Sequence, residues 1–270
     1  FTGALTITTN DSSGTDADVT IDGGTTALII AASTIDGDLT LTSGNASGIT
    51  DSGTVTVGGN LSATTDANAG VINLGTMAVD GSFTLAPNGS GAVTIVNDAA
   101  LTLAASTMGG TFSGTATTGD ITDSGTLTIT GAATFKTGAD GSNIVLDSSS
   151  NAFSAAVTMI ADAGGEDFGN ITFVDSAAID FATSASSNGD LYINSSTDGT
   201  VGGNLSVTAT TGNITDTVAL AVTGTTTLVT SADNGTIALD TTTNAFTGAL
   251  TITTNDSSGT DADVTIDGGT

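Results

Sequence analysis

Apolar residues in this chain return to the same place every 22 positions. Stepping by that interval gives Leu39, Leu61, Phe83, then Leu41, Ala63, Leu85, then Ile49, Val71, Val93. Two more columns follow, Val55, Met77, Ala99 and Val57, Val79, Leu101, while Thr40, Ser62 and Thr84 form a polar column between the first two. Gly37, Gly59 and Gly81 keep the same spacing. Within each step apolar and polar residues alternate, as in Leu39-Thr40-Leu41 and Val55-Thr56-Val57, the period of a strand with one buried face. Thr, Val and Ile favour strands, and Gly, Asn and Asp favour the corners between them. No stretch carries the 3.6-residue stripe of a helix.

A rung this short cannot bury its apolar face alone; it must lean on the rungs before and after it. The expected fold is therefore all-β, a single-stranded parallel β-solenoid of about 22 residues per rung. At a strand spacing of ~4.8 Å, roughly 12 rungs give about 60 Å of rod. Immunoglobulin-like sandwiches also have short strands and turn signals, but they repeat at about 100 residues around larger hydrophobes. They give no 22-residue columns. The irregular stretch between Val157 and Leu191 implies that some rungs carry extruded loops or hairpins.

Longer repeats lie over this short one. Residues 1–25, FTGALTITTNDSSGTDADVTIDGGT, recur letter for letter as residues 246–270. Residues 1–245 thus read as one tandem unit and 246–270 as the start of the next, with 1–270 forming one continuous solenoid segment. A window on a longer array accounts for both copies. Residues 110–159 also align without gaps onto 203–252, with 25 identities in 50 positions. No linker composition interrupts the chain, and neither end reads as a polar cap, so continuation of the same chain or head-to-tail stacking is expected.

Charge narrows the chemistry. The chain has 28 acidic residues against one base, Lys136, for a formal net charge of −27, and no histidine or cysteine. Without thiolate or imidazole, the usual zinc, iron and copper sites cannot be built. Thiol nucleophiles, disulfides and Ser-His-Asp triads are excluded too. One lysine without arginine cannot grip a phosphate backbone, so nucleic acid is not an expected partner. The longest apolar run, Ala27–Ala32, is far short of the ~20 residues that span a bilayer as a helix. Paired carboxylates raise glycoside hydrolysis, but acidic sugars need cationic side chains and Tyr192 is the lone tyrosine. The expectation is a protein that is not an enzyme and requires no cofactor.

Runs such as GNLSVTATTGNITD (203–216) and GDLTLTSGNASGITDSGTVTVGGNL (37–61) are similar to the repeats of filamentous-haemagglutinin-type exoproteins, large bacterial adhesins exported by two-partner secretion. The resemblance is one of texture and period and covers the whole chain. It implies a right-handed β-helix shaft, placement outside the cell or on the bacterial surface, and an adhesive or filament-forming role. Ala86-Pro87-Asn88-Gly89 matches only part of that family's Asn-Pro-Asn-Gly secretion motif and reads as a turn. On this resemblance the partners are copies of the chain or adjoining repeats, end to end or bundled, and a surface receptor or glycan. A surface-layer lattice protein shares the acidity and the Thr/Ala/Gly/Asp richness. A calcium-dependent glycan- or ice-binding solenoid is the other alternative.

Most acids are aspartates, as expected of corner residues that satisfy local N–H groups. Asp51, Asp123 and Asp216 share an Ile-Thr-Asp context, but their spacing forbids a stacked carboxylate ladder. Two clusters suit calcium, which takes hard oxygen ligands: Asp11, Asp16 and Asp18 in NDSSGTDAD, and Asp162, Glu166 and Asp167 in ADAGGEDFGN. A rod this acidic collects divalent counterions in any case. EDTA should therefore lower the thermal midpoint, most at low ionic strength; a superimposable melting curve is the contrary result. Pairs such as Thr40/Thr42 and Thr54/Thr56 resemble ice-binding faces, but 22-residue steps from Thr54 and Thr56 reach Thr76/Ala78 and Asp98/Ala100. Lys136 reads as a surface residue, with an isopeptide bond as the alternative, and leaves trypsin at most one site.

Overall fold

A computed structural model describes residues 3–9, 16–161, 169–182, 187–194, 200–255, 257 and 262–268. They fall into two compact units, Phe1–Gly131 and Ala132–Thr270. Each is a parallel β-solenoid, and no helix occurs among the described residues.

In the first unit, one wall stacks Val19–Asp22, Leu39–Ser43, Leu61–Thr65, Ser82–Ala86, Leu101–Leu103 and Ile121–Asp123. A second stacks Leu28–Ile30, Ile49–Asp51, Ile72–Val79, Val93–Asn97 and Phe112–Ala116. Ser33–Ile35 pairs with Val55–Val57, which in turn pairs with the far end of Ile72–Val79. Inward and outward residues alternate along each strand, so Leu39, Leu61 and Phe83 pair in one buried column and Leu41, Ala63 and Leu85 in the next. These are the columns the sequence predicts.

The other three hold in part. Ile49 pairs with Ile72 rather than Val71, and Val93 then pairs with Ile72. Val55–Met77 and Val57–Val79 pair as expected, but Met77 next meets Asn97 rather than Ala99, and Leu101 belongs to the first wall. The rung beginning at Ser82 has shortened to 20 residues, the Ser82–Thr102 separation. Asn97 makes the shortening possible. It is fully buried, accepts from Val79 N–H through Oδ1 (2.9 Å), and donates through Nδ2 to Val79 O (3.0 Å) and Ala100 O (2.7 Å). Its amide takes the place of a peptide group that the missing stretch of strand would have supplied.

In the second unit, Ile144–Leu146, Ile171–Asp175, Leu205–Ala209, Thr226–Asp233 and Leu250–Asn255 stack in parallel. Ile144 pairs with Ile171 and Ile171 with Leu205, giving rungs of 27 and 34 residues. Here the expected irregularity appears in a form periodicity does not show. Asp190–Asn194 slips between Val157–Ala161 and Ile179–Phe181, pairing in parallel with both, and so enters the sheet out of chain order.

Scarce aromatics suggest a narrow lumen that favours small and branched side chains, yet Phe83, Phe112, Phe135, Phe173 and Phe181 are among the side chains buried in it. Glycine and ring packing make the room. A Cβ on Gly114 would lie 2.6 Å from the Phe112 ring. Phe153 meets Phe135 edge-on at 6.1 Å and Phe173 at 5.1 Å between centroids, within the range of favourable ring pairs. One inward position is less well filled: Thr226 pairs with Leu205 and Leu250, and its buried hydroxyl has no hydrogen-bond partner. Thr226→Val should raise stability by about 1 kcal/mol, read as a higher urea midpoint at unchanged slope. A lower midpoint would show that the hydroxyl is satisfied.

Candidate functional site

The repeated chemistry of this chain sits at its corners. At three successive first-wall corners a glycine precedes an Asp, Asn or Ser: Gly37-Asp38, Gly59-Asn60 and Gly81-Ser82. Asp38 N–H donates to Asp18 Oδ1 (2.9 Å), Asn60 N–H to Asp38 Oδ1 (2.6 Å) and Ser82 N–H to Asn60 Oδ1 (2.9 Å). Each side-chain oxygen thus reaches one rung along and holds the next equivalent residue. The second unit repeats the device with amides: Asn170 N–H donates to Asn143 Oδ1, Asn204 N–H to Asn170 Oδ1 and Thr225 N–H to Asn204 Oδ1, each at 2.8 Å.

Close approach of the backbones makes glycine necessary beside these residues. A Cβ on Gly81 would stand 2.5 Å from Gly59 O, and one on Gly203 or Gly224 equally near the glycine carbonyl one rung back. Glycine lets the main chains stack at strand spacing through the corner. Asn60→Ala, which removes the acceptor for Ser82 N–H and Oγ, should cost about 1 kcal/mol. Asn60→Asp keeps that acceptor but gives up the Nδ2 donation to Asp38 Oδ1 (3.2 Å) and sets two carboxylates side by side. Its loss in urea midpoint should therefore shrink as salt is raised while that of Asn60→Ala should not; equal salt responses are the contrary result.

The calcium candidates divide by position. Asp11, Asp162, Glu166 and Asp167 lie outside the described residues. Asp16 is exposed, and Asp18 is the first member of the corner ladder. No group of three or more acidic side chains close enough to share a metal occurs among the described residues. Asp51 and Asp123 lie on different walls of the first unit. Asp51 Oδ1 accepts from Gly75 N–H (2.7 Å), and Thr76 Oγ1 donates to Oδ2. In the second unit Asp216 accepts from Asp240 N–H (2.9 Å) and Asn244 Nδ2 (2.7 Å), and Asn244 Oδ1 accepts from Leu220 N–H (2.7 Å).

One carboxyl stands apart. Asp175 is buried, and loss of hydration raises its pKa to about 6, against the pull of N–H donors at Phe153, Ser176 and Ala177. Lys136 is exposed on Ala133–Thr137, as expected of a surface residue. A cleft of about 340 Å³ is lined by Thr242, Asn244, Phe246 and Gly268, without a titratable group.

The sequence alone does not predict the Gly-Asx ladder, although its signal is there. The glycine column is visible, but the polar residue after each glycine reads as an ordinary turn former. That it bonds across 20 to 34 residues follows only once the rungs are stacked.

Parallel strands in register, with side-chain clamps at the corners, define a tandem-repeat β-solenoid. The chain belongs to the DUF5649 family, described as repeats of unknown function, whose model matches residues 14–80, 90–160 and 168–253. No curated protein matches the chain, and no solved structure does. No helix among the described residues is long and apolar enough to cross a membrane.

Proposed function

We propose that this chain is a shaft segment of an extracellular bacterial filament or adhesin, acting as a stiff spacer or a self-associating fibre. The observation that carries this reading is the parallel pairing that joins each rung to the next. In the first unit it runs from Val19 to Asp123, and in the second from Ile144 to Asn255. Extending such a stack requires breaking backbone hydrogen bonds, corner clamps and apolar columns together, which makes it resist bending and pulling. The outward aspartates and the net charge of −27 keep neighbouring shafts apart in dilute salt and draw them together through divalent cations. The likeness to filamentous-haemagglutinin-type repeats supports export by two-partner secretion and display at the bacterial surface. The receptor or glycan is then met by another part of the assembly, and the shaft sets its distance from the cell.

Electron microscopy of the source cells with an antibody against the chain tests the proposal. Label along fibres projecting from the surface supports it; label over a planar lattice replaces it with the surface-layer reading, and label inside the cell ends it. A second reading draws on one further observation. Thr20, Thr40, Ser62 and Thr84 pair outward in one column, with Thr42 and Thr64 beside them. Asp22 and Ala86 interrupt the second column, so the hydroxyl strip is short. Activity in an ice-recrystallisation or glycan-array assay would favour the ice- or glycan-binding alternative.

A further inference from the structure

The two identical 25-residue copies use opposite edges. In the first copy, Leu5 N–H donates to Ile29 O (2.8 Å) and Leu5 O accepts from Ala31 N–H (2.7 Å). Val19 N–H donates to Asp38 O (2.8 Å) and Gly23 N–H to Thr42 O (2.9 Å). In the second copy, Ala249 O, equivalent to Ala4 O, accepts from Thr226 N–H (2.8 Å). Asp263 O, equivalent to Asp18 O, accepts from Ile237 N–H (3.1 Å), and Asp267 N–H, equivalent to Asp22 N–H, donates to Leu239 O (2.7 Å). No peptide group in these sets is used twice. One copy of the segment can therefore pair with the 226–239 turn and carry the 28–43 turn at the same time.

Side chains agree with the backbone. Superposing the copies runs three inward columns through the segment. They are Thr226–Leu5–Ile30, Ile237–Val19–Leu39 and Leu239–Ile21–Leu41, with Leu250, Val264 and Ile266 as the second-copy equivalents. Val264 is 46% exposed with only one side paired, whereas Leu39 and Leu41, paired on both sides, are buried. We propose that this segment is a two-sided joining turn through which a second copy of the chain stacks head to tail, its residues 5–9 and 16–22 seated on the 226–239 turn of the first. The inference stands on strand pairing and holds whether or not the assembly serves as an extracellular shaft.

Sedimentation velocity of the full 270-residue chain over a range of concentrations, after unfolding and refolding, tests it. Leu5→Asp with Ile7→Asp spoils the incoming copy and should weaken association at least about ten-fold. The same two changes in the second copy, Leu250→Asp with Ile252→Asp, loosen the resident occupant of the 226–239 turn and should strengthen association several-fold. Opposite effects of identical substitutions are not expected from non-specific aggregation. Independently, Thr6 is equivalent to Thr251, which pairs with Thr227, and neighbouring strands bring Cα atoms within disulfide range. Thr6→Cys with Thr227→Cys should therefore give a non-reducing gel ladder at multiples of the chain mass. Thr6→Cys with Ser206→Cys, one rung away, should not. A single chain mass throughout, equal effects of the two aspartate pairs, or equal ladders from the two cysteine pairs would overturn the proposal.

Discussion

Replacing Asn97 with leucine should cost the first unit about 3–5 kcal/mol, although the new side chain is apolar and enters an apolar interior. The loss leaves Val79 N–H, Val79 O and Ala100 O without the amide that serves all three. Each buried group left unpaired costs about 1–3 kcal/mol. Burying the extra methyl groups returns only part of that. Asn97→Asp separates acceptor from donor: a carboxylate still receives Val79 N–H but faces two carbonyl oxygens without a proton to give. It should be destabilised at pH 7 and recover part of the loss in acid, where a protonated carboxyl can donate once. Urea midpoints at pH 7 and pH 4 measure both effects. A loss below about 1 kcal/mol for Asn97→Leu would mean that the 20-residue rung closes without its side-chain peptide mimic.

Asp175→Asn should have the opposite sign. The Asp175 carboxyl has a pKa of about 6 in the folded chain against an ordinary 3.8, chiefly because burial strips its hydration. A raised acid pKa means that the folded state prefers the proton. The penalty of ionising this group is absent below pH 3.8, grows between 3.8 and about 6, and is complete above that. The rise from 3.8 to about 6 corresponds to about 3 kcal/mol. An asparagine keeps the oxygen that accepts Phe153 N–H and carries no charge, but its own N–H groups then need partners. The net gain should be about 2 kcal/mol above pH 7 and should vanish near pH 3.5. Thermal melts of both chains from pH 3.5 to 8 read it directly. A gain that does not depend on pH would place its origin in packing rather than ionisation.

Asp175 also illustrates what a linear reading misses. Its neighbours, Ile171-Thr172-Phe173-Val174-Asp175, resemble those of any strand that ends on a corner aspartate. Asp22 ends a similar strand and is exposed. The two differ because Asp175 pairs with Ala209 on one side and stacks on Asn151 and Phe153 on the other, neighbours fixed by a 27-residue rung. The period was legible where rung length stayed constant, hence Leu39–Leu61–Phe83. It failed where Asn97 allowed the rung to shorten and where Asp190–Asn194 entered the sheet out of order.

Alternation and recurrence in the sequence determined the fold class, the inward columns of the regular rungs and the absence of cysteine and imidazole chemistry. These are consequences of side-chain type and spacing, which exist before folding. Tertiary structure decided register, the Gly-Asx ladder, the buried carboxyl and the two edges of the repeated segment. Each depends on which rung stacks on which, and a change of one residue in rung length moves a side chain between lumen and solvent.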